Sequence, residues 1–345
     1  YGTKVLSLHN ARFVREKAVQ LAARELGRLA RDGALPAAAA DAPLPPRDPG
    51  LAVHALRVGR RLGARFLQRL RTKIGARPGL FVLRAGPGDP LSVDPAGLTT
   101  LMPPAGHYWA DPFLLERDGR VWLFFEDYVY ATRRGHLSVG MLADGALHDV
   151  RPVLQRDHHL SYPFVFEHDG AVWMIPETHA AGRIEMLRAT DFPDGWELAA
   201  TALPGVAAVD TVLVEEAGTW WLFTNICRDS FGDFCSELHL YRVDGPLLRA
   251  LEPHPLNPVV ISSATARGAG RVMRRDGRLL RPSQDNTHGI YGWGLNVMEI
   301  TRLDMDGYAE RCLRRINPET AAGLAGCHHL DRAGNRVVID VRLPG

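Results

Sequence analysis

From residue 108 onward, short apolar runs alternate with turn residues, and one unit recurs. It reads WADPFLLERDGRVWLFFEDY at 109–128, SYPFVFEHDGAVWMIPETH at 161–179 and VDTVLVEEAGTWWLFTNIC at 209–227. Weaker copies are RVMRRDGRLLRPSQDN at 271–286 and CHHLDRAGNRVVIDVR at 327–342. Each copy predicts a strand, a tight turn and a second strand. Asp-Gly or Ala-Gly between apolar runs is hairpin chemistry, because glycine accepts the positive φ that such a turn requires. The turn glycines are Gly119, Gly170, Gly218, Gly277 and Gly334, at spacings of 51, 48, 59 and 57 residues. Between the units lie further strand-like runs such as HLSVGMLA, RIEMLRA and ELHLYRV. Two hairpin strands plus one or two outer strands make a blade, and five such units predict an all-β, five-bladed β-propeller over 80–345. Trp122, Trp173 and Trp221, each three residues after a turn glycine, are expected to pack between blades.

The first eighty residues follow a different period. Phe13, Ala18, Leu21, Leu26 and Leu29 recur at helical spacing, which predicts a helix over 11–31 that Gly33 ends. Residues 34–50 (ALPAAAADAPLPPRDPG) read as a linker. Residues 51–79 predict a second helix: Leu62, Phe66, Leu70 and Ile74 repeat every four residues among arginines, and no acid occurs from 51 to 80. A basic amphipathic helix over 51–74 fits docking on the neighbouring domain, and it also fits an anionic membrane surface. Nucleic acid is not an expected partner, since no aromatic interleaving or known module accompanies the charge.

Composition sharpens this division. Over 345 residues the net charge is +2, but residues 1–80 carry 16 basic and 5 acidic side chains, and the remainder is net acidic. No run of 18 apolar residues predicts a membrane span. The first ten residues show no basic region followed by an apolar one, so the expected location is cytoplasmic, peripheral on the inner membrane if the basic helix lies there. A chain opening on Tyr1 reads as a piece of something longer, with 1–33 as the tail of a partner domain. The four cysteines, Cys227, Cys235, Cys312 and Cys327, form no C-x-x-C and are expected to be reduced and mostly buried.

The repeat also aligns polar residues. Eight residues before the turn glycine stand Asp111, Tyr162 and Asp210; seven after it stand Glu126, Glu177, Asn225 and Gln284, with Asp285 next to the last. In a propeller blade the start of the first strand and the end of the second lie at the same end of the hairpin. The two columns therefore converge on one axial pocket. His328 and His329, which open the last unit, join it there.

Crowded carboxylates push one another's pKa values apart and supply both an acid and a base, the equipment of a glycosidase. The same crowding fits Ca²⁺ binding, a weaker reading, or a grip on sugar hydroxyls without reaction. Otherwise no metal or cofactor is expected. No G-x-S-x-G elbow occurs, and GPGDP at 86–90 and GIYGWG at 289–294 match neither Walker nor Rossmann spacing.

WADPF (109–113), LSYPFVF (160–166), PET (176–178), WWLF (220–223), RPSQDN (281–286), YG (291–292) and HHLD (328–331) together resemble the N-terminal domain family of plant glucosamine inositolphosphorylceramide transferase. The resemblance implies a five-bladed propeller similar to arabinanases and invertases. In that glycosidase clan a first-blade Asp-Pro carries a catalytic carboxylate, which maps to Asp111, and the acid is most like Glu177. The clan's second-blade Asp is Tyr162 here, which moves the third catalytic carboxylate to Asp210 and puts ordinary hydrolysis in doubt.

The sequence therefore points to a carbohydrate-active propeller that acts on a glycan, sugar nucleotide or glycolipid in cell-surface polysaccharide or glycolipid metabolism. Asp111, Glu177 and Asp210 would be catalytic. Glu126, Tyr162, Asn225, Gln284, Asp285, His328 and His329 would bind substrate. The competing expectation is a non-catalytic glycan-recognition module that serves a fused or associated enzyme.

Overall fold

A computed structural model describes residues 7–34, six isolated positions between 53 and 63, 80–288 and 291–344. The chain divides into two compact units, and the second of them, the propeller, starts at Phe81. In the N-terminal unit α1 spans Ser7–Asp32, four residues longer at its start than the apolar spacing predicts. Gly33 ends it as expected, at φ +72°, with its N–H donating to Leu29 O at 2.9 Å. The linker and most of the basic second helix lie outside the described residues; Val53, Ala55, Leu56, Gly59, Arg60 and Gly63 are helical.

The rest is a ring of five antiparallel sheets. Strands β1 (Phe81–Pro87) and β2 (Thr99–Leu101) open it. The first blade is β3 (His107–Arg117), β4 (Arg120–Val129), β5 (Arg134–Ala143) and β6 (Ala146–Leu154). The second is β7 (Ser161–His168), β8 (Ala171–Glu177), β9 (Ile184–Asp191) and β10 (Gly195–Ala202). The third is β11 (Ala208–Glu216), β12 (Thr219–Ile226), β13 (Glu237–Val243) and β14 (Leu251–Pro253), with β15 (Val260–Ile261) also on β13. The fourth is β16 (Met273–Arg275), β17 (Arg278–Asp285), β18 (Gly294–Asp304) and β19 (Gly307–Ile316). The last blade takes β20 (Gly326–Ala333) and β21 (Arg336–Arg342) from the end of the chain and β1 and β2 from its start, in the order β2-β1-β21-β20. β1 pairs with β21 from Phe81↔Arg342 to Pro87↔Arg336, so the ring closes by backbone hydrogen bonds between the two ends of the propeller.

Burial follows from position in the blade. The inner strand β7 is buried from Ser161 to Phe166, because a sheet packed on both faces hides every side chain. The outer strands β6 and β10 are mostly exposed. Aromatic contacts join neighbouring blades: Trp122 meets Phe192 edge-on at 5.6 Å, and Trp220 lies 6.4 Å from Phe166. The expected tryptophan column is thus core material, with Trp220 beside Trp221 making the contact to the second blade.

All five turn glycines sit at positive φ on the hairpin between a blade's first two strands. In four of them Asp118, Asp169, Ala217 or Asp276 precedes the glycine at φ near +50°, so both central residues are left-handed. The fifth differs: the turn is Gly334-Asn335, and the glycine takes its first position. Only Cys327 among the four free cysteines is buried; Cys312 is exposed, which corrects the expectation of mostly buried thiols.

Candidate active site

The inner strands of the first three blades break register at one place. Ala110 faces Glu126, but the next pair is Phe113 with Phe124. Ser161 faces Glu177 and Phe164 faces Ile175; Val209 faces Asn225 and Val212 faces Phe223. Each break is a β-bulge that leaves one extra residue on the inner strand. Its first residue is Asp111, Tyr162 or Asp210, at φ +50°, +49° and +52°. Non-glycine residues pay a conformational cost there, and such strain concentrates at functional sites. Two of the bulges continue with proline, Pro112 and Pro163, which has no N–H to leave unpaired. The bulge places each of these residues beside the residue at the end of the second strand.

Asp111 is buried. Its N–H donates to Asp340 Oδ2 at 3.1 Å, and His328 Nε2 and His329 Nδ1 lie 3.7 and 3.6 Å from its Oδ1. Burial works against its ionisation, but the two histidines and Arg267 outweigh burial and hold the carboxyl below its usual range. Asp340, fully buried, accepts from the N–H groups of His328 and His329 at 2.9 Å and lies 2.6 Å from His328 Nδ1. Burial alone would lower the His328 pKa; the Asp340 charge reverses this and raises it.

Glu126 is the opposite case. Its Oε1 accepts from Tyr108 Oη at 3.1 Å and lies 3.4 Å from His159 Nε2. Burial, then the charge on Asp111, push its pKa well above the ordinary carboxyl value. Asp210 is gripped by Arg267, whose Nε donates to Oδ2 at 2.6 Å. Burial still dominates and, with Glu177 and Asp111 adding to it against Arg267, lifts the Asp210 pKa to about 7. Glu177 Oε1 pairs with His179 Nδ1 at 2.7 Å, and its Oε2 is 4.0 Å from Arg267. The structure thus brings Asp111, Glu126, Glu177 and Asp210 into one electrostatically linked group at one end of the axis.

The other expected residues do structural work. Tyr162 Oη accepts from Gly270 N at 2.9 Å, which ties the second blade to the fourth. Asn225 donates to Glu237 O and Ala266 O and accepts from Gly268 N. Gln284 donates to Gly268 O, and Asp285 accepts from Thr287 in a local turn. His329 is fully buried, edge-on to Phe113 at 4.5 Å.

Sequence reasoning missed Arg267, Asp340, Tyr108, His159 and His179. It also missed the inner plug below them, where Arg271 pairs with Asp331 at 2.5 Å and donates to Leu114 O and Val165 O. Tyr108 stacks on Tyr128 at 4.6 Å, and exposed Tyr130 meets both edge-on. Tyr291, also exposed, lies over Arg267 at 5.1 Å from its ring centre and edge-on to His328. Half-buried Tyr108 and Tyr128 and exposed Tyr130 and Tyr291 therefore lie beside the acidic group, a surface suited to the apolar face of a sugar.

Among the described residues, one group has metal-ligand geometry: Asp111, His328 and Asp340, with ligand atoms within 4.8 Å of one another. Asp340 spends its oxygens on three backbone N–H groups and on His328, so it fits a clamp better than a cation ligand.

Fold and site define a five-bladed β-propeller with a group of buried carboxyls where the inner strands of its first blades bulge. Residues 96–324 match the family described as glucosamine inositolphosphorylceramide transferase 1, N-terminal, and the chain belongs to that family. Curated relatives are the glucosamine inositolphosphorylceramide transferase 1 proteins of Oryza sativa subsp. japonica, 34% identical over 221 residues, and Arabidopsis thaliana, 31% identical over 208. The matches cover 62% and 59% of this chain but 29% and 27% of those proteins, so the chain spans under a third of their length. Among solved structures, Zg3597, a family 117 glycoside hydrolase of Zobellia galactanivorans, is 12% identical at a TM-score of 0.49, covering 77% of this chain and 91% of that one. An α-L-arabinofuranosidase from Lactobacillus brevis, also 12% identical, scores 0.48 over 67% of this chain and 81% of that one.

Proposed function

We propose that the propeller is carbohydrate-active: it takes a sugar of a glycan or glycolipid at the axial pocket and promotes glycosyl hydrolysis or transfer. The observation that carries this reading is the neighbouring pair of buried carboxyls with opposed shifts, Asp111 held low and Glu126 pushed high. Glycosyl chemistry needs one carboxylate and one carboxylic acid at the same bond. In this reading Asp111 is the base or nucleophile. Glu177 and Asp210, held by His179 and Arg267, shape the pocket and its charge. The acceptor is water or an alcohol of a second sugar or lipid headgroup, and the propeller works beside a second, glycan-transferring enzyme domain on the cytoplasmic side.

A second reading is a glycan-recognition module. It is favoured by the ion pairs themselves, since Arg267 and His179 occupy two of the four carboxylates. A screen of aryl glycosides, sugar nucleotides and lipid-linked sugars, read by native mass spectrometry beside a product assay, separates the two. Asp111→Asn is expected to cut turnover by a factor on the order of 10² or more while binding weakens far less. Ligand binding with no product from the wild type favours recognition. Product formation unchanged in Asp111→Asn contradicts the catalytic reading.

A further inference from the structure

The segment that leads into β7 holds a histidine at the site in one tautomer. Gly135, on β5 opposite Tyr128, donates its N–H to His159 Nδ1 at 2.9 Å, and its carbonyl accepts from Leu160 N–H at 3.1 Å. The two bonds staple residues 159 and 160 to the first blade. They need a glycine, because a Cβ on Gly135 would lie 2.7 Å from Glu126 Oε1, from His159 Cε1 and from Leu160 O. A ring nitrogen that accepts carries no proton, so the one proton of the imidazole is on Nε2. Charging the ring would break the Gly135 bond. Burial, helped by His179 and His158, also lowers the His159 pKa, against the charges of Glu177 and Asp111.

Nε2 is therefore a donor, and it is unspent. It lies 3.4 Å from Glu126 Oε1 without hydrogen-bonding to it, and among the described residues it has no hydrogen-bond partner. The side chain is 34% exposed, so this N–H is open to a ligand. An unspent donor thus stands beside a carboxyl oxygen that accepts. A hydroxyl completes such a pair, since it accepts from the one and donates to the other. Two atoms 3.4 Å apart can share one oxygen about 2.8 Å from each. The Tyr128 ring, its centre 6.0 Å from that of His159, adds an apolar surface beside the same spot. We propose that His159 is a substrate-binding residue: its Nε2–H donates to a sugar hydroxyl that in turn donates to Glu126 Oε1. The site then selects a sugar with a free hydroxyl at that position. The proposal rests on the reading of the pocket as a sugar site, and it holds whether or not the sugar reacts.

The test uses the full chain with ring-¹⁵N histidine, in which the signals lost in His159→Asn belong to His159. They are expected to show Nδ1 bare and Nε2 protonated in the free protein. The probes are methyl glycosides of common hexoses and pentoses, each with its forms lacking one hydroxyl. A sugar that binds is expected to shift the Nε2 signal, and loss of one particular hydroxyl to weaken binding about tenfold, the worth of one hydrogen bond. The amide oxygen of His159→Asn can take the Gly135 bond, but the side chain ends short of Nε2. That variant is expected to bind the sugar and the deoxy form alike, and His159→Gln, whose amide N–H reaches nearer to Nε2, to restore part of the preference. A merely structural role would weaken both ligands together and leave the preference intact. A proton on Nδ1 overturns the proposal, as does a hydroxyl preference unchanged in His159→Asn, or a panel in which no sugar moves Nε2. Sugar binding that shifts Nε2 with no product formed refutes glycosyl turnover and leaves His159 its role; product formed with Nε2 unmoved does the reverse.

Discussion

At the scale of single residues, the acids differ by what surrounds each of them. Asp210 is 4% exposed, and even with the Arg267 guanidinium against it burial raises its pKa from 3.8 to about 7. A carboxyl whose folded pKa lies above its unfolded one contributes most to stability when protonated in both states. That contribution is full below about 3.8, is lost as pH rises through the folded value near 7, and is flat above it. Asp210→Asn mimics the neutral form. Its melting temperature is therefore expected to gain on that of the wild type between pH 4 and 7 and to run parallel above that range. A gap that stays constant, or that closes with rising pH, would show that Arg267 wins over burial. Asp111, shifted the other way, contributes in the opposite sense, because its stabilisation is lost as pH falls through its lowered pKa.

At the scale of elements, the inner strands are held by backbone geometry as much as by apolar burial. Gly270 stands at φ +135°, donates to Tyr162 Oη, and has Leu330 O only 2.0 Å from where a Cβ would be. Gly119 is left-handed too, but a Cβ there meets nothing within 4 Å. Gly119→Ala is expected to cost about 1–2 kcal/mol, the penalty of a left-handed alanine. Gly270→Ala must also displace backbone, so urea denaturation should show a loss several times larger, or no folded protein. Equal losses would mean that the axial segment yields freely. The hairpins were legible in the sequence because turn chemistry is local. The two polar columns were legible because in the first three repeats each bulge residue lies beside its partner on the next strand. The pattern misplaced the fifth turn by one position, since Gly334 opens that turn where the others close it. It missed Arg267 because the fourth unit puts Ala269 at the column position, and the working side chain comes from two residues earlier. Tyr108, His159 and Asp340 stand outside both columns: Tyr108 and His159 reach Glu126 from the first blade and the loop after it, and the closure of the ring brings Asp340 to Asp111.

At the scale of the whole molecule, closure makes the site. β1 pairs with β21, and Asp340 and His328 of that last blade hold Asp111 of the first. Asp210 of the third blade is held by Arg267, which precedes the fourth. The acidic group therefore exists only in the completed ring, while the turn glycines mark the opposite end of each hairpin. The most direct test of the account is a structure of Asp111→Asn with a sugar ligand found in the screen. The account places the sugar at the axial carboxyls, its ring against the Tyr108–Tyr128–Tyr130 or Tyr291 rim and its glycosidic oxygen within reach of Asp111 or Glu126. A sugar bound at the turn-glycine end or on the outer strands, with the axial carboxylates untouched, would contradict it.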